Sequence, residues 1–140
     1  MIEKIDHIGI AVHSLDKSLD DYNRIFGLKP LKVETLKDIC VRIAFIRVGE
    51  VLIELLEPTA PGAGRIGEFL EKNGEGFHHI ALRVDDIDGE MGRLDNEAVG
   101  LRDKTPRDGG DSSRIAFIEP RFTQNVLTEL VERKQEVKGA

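Results

Sequence analysis

The sequence contains no tryptophan, one tyrosine and one cysteine among its 140 residues. The lone Cys40 excludes an intramolecular disulfide and fits a reducing cytoplasm. Because Cys40 adjoins an apolar strand and has no acid or base partner beside it in the sequence, we expect a buried thiol and not a nucleophile. No apolar run approaches membrane-spanning length and no secretory signal opens the chain, so we expect a cytoplasmic protein without membrane contact.

An excess of positive charge is also missing. The formal net charge of −6 argues against broad electrostatic affinity for nucleic acid or for an anionic membrane. A chain of 140 residues favours a single domain or two small fused modules. Nucleic acid and membrane are therefore excluded as expected partners.

The sequence does contain an internal repeat. The word RIAFI occurs at residues 42–46 and again at 114–118, an offset of 72 residues. The same offset relates HIGIAV, which begins at His7, to HIALRV, which begins at His79. Each of these two words is followed by apolar residues spaced for one face of a helix. The sequence therefore reads as a tandem duplication that covers most of the chain.

Each copy predicts the order strand, helix and three strands. The expected strands lie near residues 5–12, 31–34, 41–48 and 51–57, and near 77–84, 101–104, 114–118 and 126–132, with helices near 15–26 and 87–98. We predict an α+β fold of two tandem βαβββ modules at about residues 3–58 and 76–133. A linker helix at about residues 59–75 joins them within one domain, 1–140.

Strand alternation places two histidines on equivalent faces. Side chains two apart share a face of a strand, and the apolar positions of HIGIAV and HIALRV pack on the helix. His7 and His79 therefore point to the side away from the helix. His78 is the alternative to His79, but it shares its parity with Ile80 and matches Asp6 in the repeat, so His79 is favoured.

Two carboxylates repeat in the same way. Glu54 lies inside VLIELLE and Glu129 lies inside VLTELVE. A carboxylate in the middle of an apolar strand is costly unless it is paired or coordinated. Ion pairs with Arg42 and Arg114 on adjacent strands are one explanation. A divalent ion is the other, because two imidazoles and two carboxylates suit zinc, cobalt, nickel, manganese or iron.

Two further features are expected to be solvated surface. Glu57 and Glu132 also repeat, but they lie at the ends of their strands, where a carboxylate meets water. The C-terminal VERKQEVKGA, which begins at Val131, is rich in charge and is expected to be a frayed tail.

Five blocks of the chain resemble one family. DHIGIAV, IELLEP, FLEKNGEGFHHIALRVDDI, RIAFIEP and VLTELVE are similar, in this order, to the signatures of methylmalonyl-CoA epimerases. NGEGFHHIALRV is the most specific of them. These enzymes belong to the vicinal oxygen chelate superfamily, together with glyoxalase I, extradiol dioxygenases and antibiotic-resistance binders. The resemblance implies two modules whose curved sheet surrounds a metal-binding cleft.

The resemblance also implies a site and a reaction. It assigns His7, Glu54, His79 and Glu129 as ligands of a divalent cobalt, zinc, nickel or manganese ion, and Glu129 as a catalytic acid or base. It implies an acyl-CoA thioester substrate and a homodimer. The implied reaction interconverts (R)- and (S)-methylmalonyl-CoA by removal and return of the C2 proton through a metal-stabilised enolate.

The sequence departs from the family pattern in two places. The family's other glutamate falls on the strand that here reads CVRIAFI, which has no acid, and Asp38 precedes that strand. The second acid or base is therefore unassigned. A loop of the family reads EPRFTQN here, where Arg121 is available to an anion. The basic residues available to an anionic CoA ester are Arg65, Lys72, Arg107 and Arg121.

Three other activities of the superfamily stay open. Lactoylglutathione lyase, or glyoxalase I, uses the same kind of ligand set, and the block around NGEGFHHIALRV favours the epimerase over it. An extradiol dioxygenase uses two histidines and one carboxylate at Fe(II) and is usually longer. A non-catalytic binding protein of the superfamily tends to lack the four ligands that are present here.

Overall fold

The computed structural model describes residues 1–139, which form two compact units. The first unit contains Ile8–His78 and residues 137–139. The second unit contains Met1–His7 and His79–Glu136. The strand β1, Ile2–Ala11, begins in the second unit and ends in the first, and β5, Gly76–Val84, runs in the opposite sense from the first unit to the second.

The first unit carries three further strands and two helices. In chain order these are α1 Leu15–Phe26, β2 Lys32–Leu36, β3 Val41–Val48, β4 Val51–Pro58 and α2 Gly64–Asn73. The strands β2, β3 and β4 pair antiparallel in that order. Ser14 caps α1 by accepting a hydrogen bond from the Lys17 amide at 3.2 Å, and Gly27 ends it with φ of 69°.

Apolar packing holds α1 to its strands. Leu15 is fully buried in a cluster with Val12, Ala44, Ile46 and Leu55. Leu19 and Tyr22 lie one and two turns further along the helix and pack on the same cluster. The apolar face of HIGIAV therefore meets the helix, as strand alternation predicts.

The second unit repeats the pattern with α3 Ile87–Asn96, β6 Arg107–Asp108, β7 Arg114–Ile118 and β8 Thr128–Glu132. Its strands follow the order β5, β8, β7 and β6, in which β5 and β8 are parallel and the other pairs are antiparallel. Asp86 caps α3 by accepting a hydrogen bond from the Gly89 amide at 3.2 Å. The predicted α+β class and the two tandem βαβββ copies are confirmed.

The prediction of a weak strand near residues 101–104 is wrong in detail. Leu101 makes only a single bridge to Ile118, and the paired strand β6 begins at Arg107. The reason is that the Asp103 carboxylate accepts the Phe117 amide at 2.7 Å, so a side chain replaces the backbone partner. The backbone ladder is interrupted at that point.

The expectation of a frayed C-terminal tail is also wrong. The Arg133 side chain is 2% exposed in the second unit. Val137 belongs to the apolar core of the first unit, where its carbonyl accepts a hydrogen bond from Arg47 Nη2 at 3.0 Å. These residues are ordered because each has a buried partner that the local sequence does not reveal.

Two smaller predictions concern Cys40 and the linker between the copies. Cys40 is half-buried, not fully buried, and it has a left-handed backbone conformation with φ of 56°. The helix α2 occupies part of the segment for which a linker helix is predicted, while the single-domain assignment and its module bounds stay predictions. Within residues 1–139, no helix has both the length and the apolar character needed to cross a membrane.

Candidate metal centre

Three of the predicted ligands converge in the second unit. His7 lies on β1, His79 on β5 and Glu129 on β8, and one ligand atom from each lies within 4.8 Å of the others. The Nε2 atoms of the two histidines are 3.0 Å apart. The Glu129 carboxylate lies 3.2 Å from His7 Nε2 through Oε1 and 3.7 Å from His79 Nε2 through Oε2.

The strand registers explain why these side chains meet. Glu129 on β8 stands opposite Ala81 of β5 and opposite Phe117 of β7. His79 is two residues before Ala81, so it shares the face of the sheet with Glu129. The His79 and Phe117 rings meet edge to face with their centroids 5.5 Å apart. The Phe117 ring therefore lines one side of the cluster.

Burial makes the cluster expensive unless something binds it. His7 is 3% exposed, and His79 and Glu129 are each 4% exposed. Although Glu129 Oε1 lies 3.2 Å from His7 Nε2, the geometry is not that of a hydrogen bond. Among residues 1–139, this oxygen has no hydrogen-bond partner at all. Leaving a buried polar atom unsatisfied costs about 1–3 kcal/mol.

The donor set fits a divalent cation. Neutral imidazole nitrogens and a carboxylate oxygen are the ligands that zinc and its first-row neighbours accept. Burial raises the pKa of the Glu129 carboxyl, but the charges of His7 and His79 outweigh it and hold the pKa below its ordinary value. Glu129 is therefore ionised near neutral pH, which is the form that binds a cation.

The second nitrogen of His7 is held by Asp6. His7 Nδ1 lies 2.6 Å from Asp6 Oδ2. Burial opposes ionisation of Asp6, but hydrogen bonds from His7 and Arg133 outweigh it and hold the pKa of this carboxyl far below its ordinary range. A carboxylate accepts hydrogen bonds, so Nδ1 carries a proton, and in the neutral imidazole Nε2 is then the nitrogen whose lone pair can bind a cation.

The fourth predicted ligand, Glu54, lies in the first unit. It stands on β4 opposite Phe45 of β3 and is 4% exposed. Arg42 pairs with Glu57 at 3.2 Å, and this finding removes the Arg42 ion pair that is one explanation for a carboxylate at residue 54. The role of Glu54 as a ligand stays a prediction.

The other site residues considered from sequence are spread over the chain. Asp38 is exposed in the single helical turn Lys37–Ile39, and Arg65 and Lys72 are exposed on α2. Arg121 is exposed, with its guanidinium 4.3 Å from the centre of the Phe122 ring. None of these residues belongs to the three-residue cluster described above.

Arg107 of the second unit is linked to the cluster through one aromatic ring. Its guanidinium carbon lies 5.6 Å from the centre of the Phe117 ring, which itself packs on His79. Its Nε lies 3.0 Å from Asp103 Oδ1, and the side chain is 31% exposed. Arg107 thus combines a fixed position with access to solvent.

Sequence reasoning did not identify Asp6, Arg83 and Arg133 as members of the site. A signal exists for Arg83, because a charge inside the apolar word HIALRV requires a partner when it is buried. Its guanidinium meets Asp6 Oδ1 at 2.8 Å through Nη2. No comparable signal exists for Arg133, which sits in a run of charged residues.

Known proteins are similar to this chain in sequence and in fold. Residues 6–117 match the sequence profile of the Glyoxalase/Bleomycin resistance protein/Dioxygenase superfamily. The protein YqjC of Bacillus subtilis (strain 168) is 40% identical over 133 residues, which cover 95% of this chain and 94% of that protein. The mitochondrial methylmalonyl-CoA epimerase of Dictyostelium discoideum is 35% identical over 133 residues, which cover 94% of this chain and 80% of that enzyme.

A solved structure extends the similarity to the fold. A variant of the Streptomyces coelicolor methylmalonyl-CoA epimerase, in complex with 2-nitronate-propionyl-CoA, superposes with a TM-score of 0.91 at 35% identity. The match covers 96% of this chain and 100% of that chain. The chain belongs to the Glyoxalase/Bleomycin resistance protein/Dioxygenase superfamily, as do the methylmalonyl-CoA epimerases that it resembles over nearly its whole length.

Proposed function

We propose that the protein is a methylmalonyl-CoA epimerase, an isomerase that interconverts the (R) and (S) forms of methylmalonyl-CoA. The observation that carries the proposal is the buried His7–His79–Glu129 cluster, in a chain similar to epimerases along nearly its full length. The substrate class is an acyl-CoA thioester, as in the Streptomyces relative with its bound 2-nitronate-propionyl-CoA. Both the activity and the substrate class are proposed from the described residues 1–139 and from the similarity of the chain to these epimerases.

The chemistry of the substrate explains the residue types. The C2 hydrogen lies between a thioester carbonyl and a carboxylate, and its removal leaves negative charge on the thioester oxygen. We propose that His7, His79, Glu129 and Glu54 hold a divalent cobalt, zinc, nickel or manganese ion. Such an ion supplies Lewis-acid stabilisation of developing negative charge.

Glu129 is the residue to which we assign proton transfer. Its carboxylate is buried and ionised, and one of its oxygens lacks a hydrogen bond. A carboxylate oxygen takes the C2 proton from one face of the substrate and returns it in the reverse reaction. Epimerisation also needs a proton donor on the opposite face, and a water or another residue fills that role.

We assign Arg107 to the recognition of the substrate carboxylate. Its Nε lies 3.0 Å from Asp103 Oδ1 as an ion pair without hydrogen-bond geometry, and its guanidinium lies over the Phe117 ring beside His79. An arginine whose fork is not saturated binds a carboxylate through two parallel hydrogen bonds. A partly exposed cation at this place also favours an anionic ester over a neutral one.

Deuterium exchange tests the proposed function. Metal-loaded protein is mixed with (2S)-methylmalonyl-CoA in deuterium oxide, and C2 exchange and formation of the (R) epimer are followed. We expect both, and we expect both to be lost in Glu129→Gln. Exchange without epimerisation would mean that a base serves only one face. No exchange with metal bound would refute the epimerase and favour a lactoylglutathione lyase acting on a glutathione hemithioacetal.

Two further properties are proposed on the sequence and the family. The resemblance supports a homodimer, and the single cysteine supports a cytoplasmic location. Sedimentation of the purified protein measures the first property directly. The non-catalytic binding protein of the superfamily is the outcome if the chain binds no divalent ion under any loading condition.

A further inference from the structure

A buried carboxylate in the second unit holds three cationic or proton-donating side chains at once. Arg83 donates to Asp6 Oδ1 from Nε at 2.9 Å and from Nη2 at 2.8 Å. Arg133 donates to Oδ1 and Oδ2 from Nε at 3.0 and 3.2 Å, and to Oδ2 from Nη2 at 3.0 Å. His7 Nδ1 completes the set at 2.6 Å from Oδ2. Asp6 is therefore fixed from several directions.

The network places three charged side chains where little or no solvent reaches them. The side chains of Asp6, Arg133 and Arg83 are 0%, 2% and 11% exposed. Taking such charges out of water offsets most of what their attraction contributes, and well-packed apolar residues of similar volume are often as stable or more so. Stability alone therefore does not account for an Arg–Asp–Arg group at this place.

Its geometry points to His7. Because two guanidinium groups fix the carboxylate, the direction of the bond from His7 Nδ1 to Oδ2 is fixed as well. The opposite ring nitrogen, Nε2, then faces His79 Nε2 at 3.0 Å and Glu129 Oε1 at 3.2 Å. A histidine whose Nδ1–H is engaged by a carboxylate offers Nε2 as an oriented ligand.

The segment after β8 completes this arrangement. Arg133 Nη1 donates to the Gly110 carbonyl at 3.1 Å, which ties the arginine to the loop before β7. Glu136 accepts from Arg83 Nη2 at 3.0 Å and also contacts Nη1. The guanidinium of Arg83 thus lies between two carboxylates, one at the start of the chain and one near its end.

We infer that Asp6 is a positioning residue: clamped by Arg83 and Arg133, it fixes the tautomer and ring orientation of His7 before any cation binds, and Glu136 steadies the clamp. The inference rests on the proposed role of His7 as a ligand. It does not depend on which substrate the protein uses. Neither the repeat nor the family resemblance assigns these residues a role.

The tautomer is observable without metal or substrate. In long-range proton–nitrogen spectra of the ¹⁵N-labelled apo protein near neutral pH, we expect His7 to carry its proton on Nδ1. In Asp6→Asn the amide oxygen stays with the arginines and its NH₂ group turns to His7. We therefore expect that histidine to switch to the Nε2–H form. A wild-type His7 with its proton on Nε2 would overturn the inference.

Cation affinity gives the second readout. Titration with Co²⁺, followed by its visible absorption, should show Asp6→Asn weaker than wild type by about 10–100-fold. The matched control is Asp88→Asn, which removes an aspartate that also pairs with an arginine in the same unit but is 62% exposed. It should bind as wild type does. Equal affinity in Asp6→Asn and wild type would contradict the inference.

A milder variant guards against a loss of folding in Asp6→Asn. Glu136 is 50% exposed, so Glu136→Gln leaves the core intact and only loosens Arg83. We expect a fall in Co²⁺ affinity of a few-fold, with unchanged far-ultraviolet circular dichroism. Affinity equal to wild type would limit the clamp to Asp6 and the two arginines and would refute the part assigned to Glu136.

The outcomes separate this inference from the proposed function. A protein with the Nδ1–H tautomer and the expected affinity losses, but without C2 exchange, keeps the inference and loses the epimerase. A protein that epimerises its substrate while Asp6→Asn binds Co²⁺ normally keeps the epimerase and loses the inference.

Discussion

The two copies of the repeat agree in their frame and differ next to the site. Phe45 faces Glu54 across β3 and β4, and Phe117 faces Glu129 across β7 and β8 in the same register. The residues before the two histidines differ, however. Asp6 is a buried hub of the second unit, whereas its repeat partner His78 packs edge to face on Phe69 in the first unit, with ring centroids 4.9 Å apart.

The shared frame includes two carboxylates that we expected to be solvated. Glu57 accepts the Leu15 amide at the start of α1 at 2.7 Å, and Glu132 accepts the Ile87 amide at the start of α3 at 3.0 Å. Each helix therefore receives a negative charge at its positive end. The comparison shows that the repeat preserved the contacts that build a module, while the residues next to the histidines diverged.

The largest effect is expected from a comparison of Glu129 and Glu54, the equivalent strand carboxylates of the two copies, because only Glu129 is proposed to transfer a proton. Glu129→Gln should lower the C2 exchange rate by about 10²–10⁴-fold, because a general base is lost. Glu54→Gln should retain most activity, since a glutamine oxygen still serves as a ligand. Stopped exchange assays on both variants, loaded with the same metal, make the measurement. Equal losses would mean that the two copies share proton transfer.

Removal of the cation allows the change in hydrogen exchange to be compared between the two units. At a free cation concentration of 100 times Kd, binding stabilises the folded protein by about 2.7 kcal/mol, and a chelator should abolish this gain. Hydrogen exchange should then rise in β5 and β8. A rise in β4 as well would support Glu54 as a ligand, and unchanged exchange everywhere would contradict a metal centre.

The two cation–ring pairs provide the next contrast. Lys32 lies 5.7 Å from the centre of the Phe45 ring, and Arg107 lies 5.6 Å from that of Phe117. Arg107→Gln should lower kcat/KM by about 10–100-fold, because a charged hydrogen bond contributes about 1.5–3 kcal/mol. Lys32→Gln is the matched change in the other copy, and a smaller loss there is expected. The reverse order would move carboxylate recognition to the first copy.

Acid should lower the free energy of unfolding of the apo protein by protonating Asp6, the buried carboxylate that only one of the two copies has. The folded-state pKa of Asp6 is depressed, so its stabilisation is complete above the ordinary aspartate pKa of about 3.9 and is lost as the pH falls below it. Urea unfolding of the apo protein at pH 6, 4 and 3 measures the free energy of unfolding. The decrease should be larger in wild type than in Asp6→Asn, and parallel curves would contradict the assignment.

The smallest effects should be equal in both copies. Glu57→Gln and Glu132→Gln each weaken the interaction with a helix N-terminus, and each should lower the free energy of unfolding by about 0.3–1 kcal/mol. Chemical denaturation checks both. Clearly unequal values would show that the two module frames differ more than their hydrogen bonds indicate.

Periodicity and repetition allowed much of the fold to be predicted. Spacing located α1 and α3, and alternation put His7, His79 and Glu129 on faces from which they converge. The missed features depend on contacts remote in sequence. Arg133 and Asp6 are 127 residues apart, and no local pattern links them. The interrupted strand near Leu101 was missed because a side chain, Asp103, took over a backbone hydrogen bond.

The division of β1 between the two units has a consequence for synthesis. Met1–His7 belong to the unit that is otherwise made last, and Glu129 follows His7 by 122 residues. At about 5–20 residues per second, roughly 6–24 s pass between the two. During that time the first seven residues leave the ribosome without the neighbours they will join. The His7 cluster therefore cannot assemble before Glu129 has been synthesised, and the core of the first unit cannot be complete before Val137 has been synthesised.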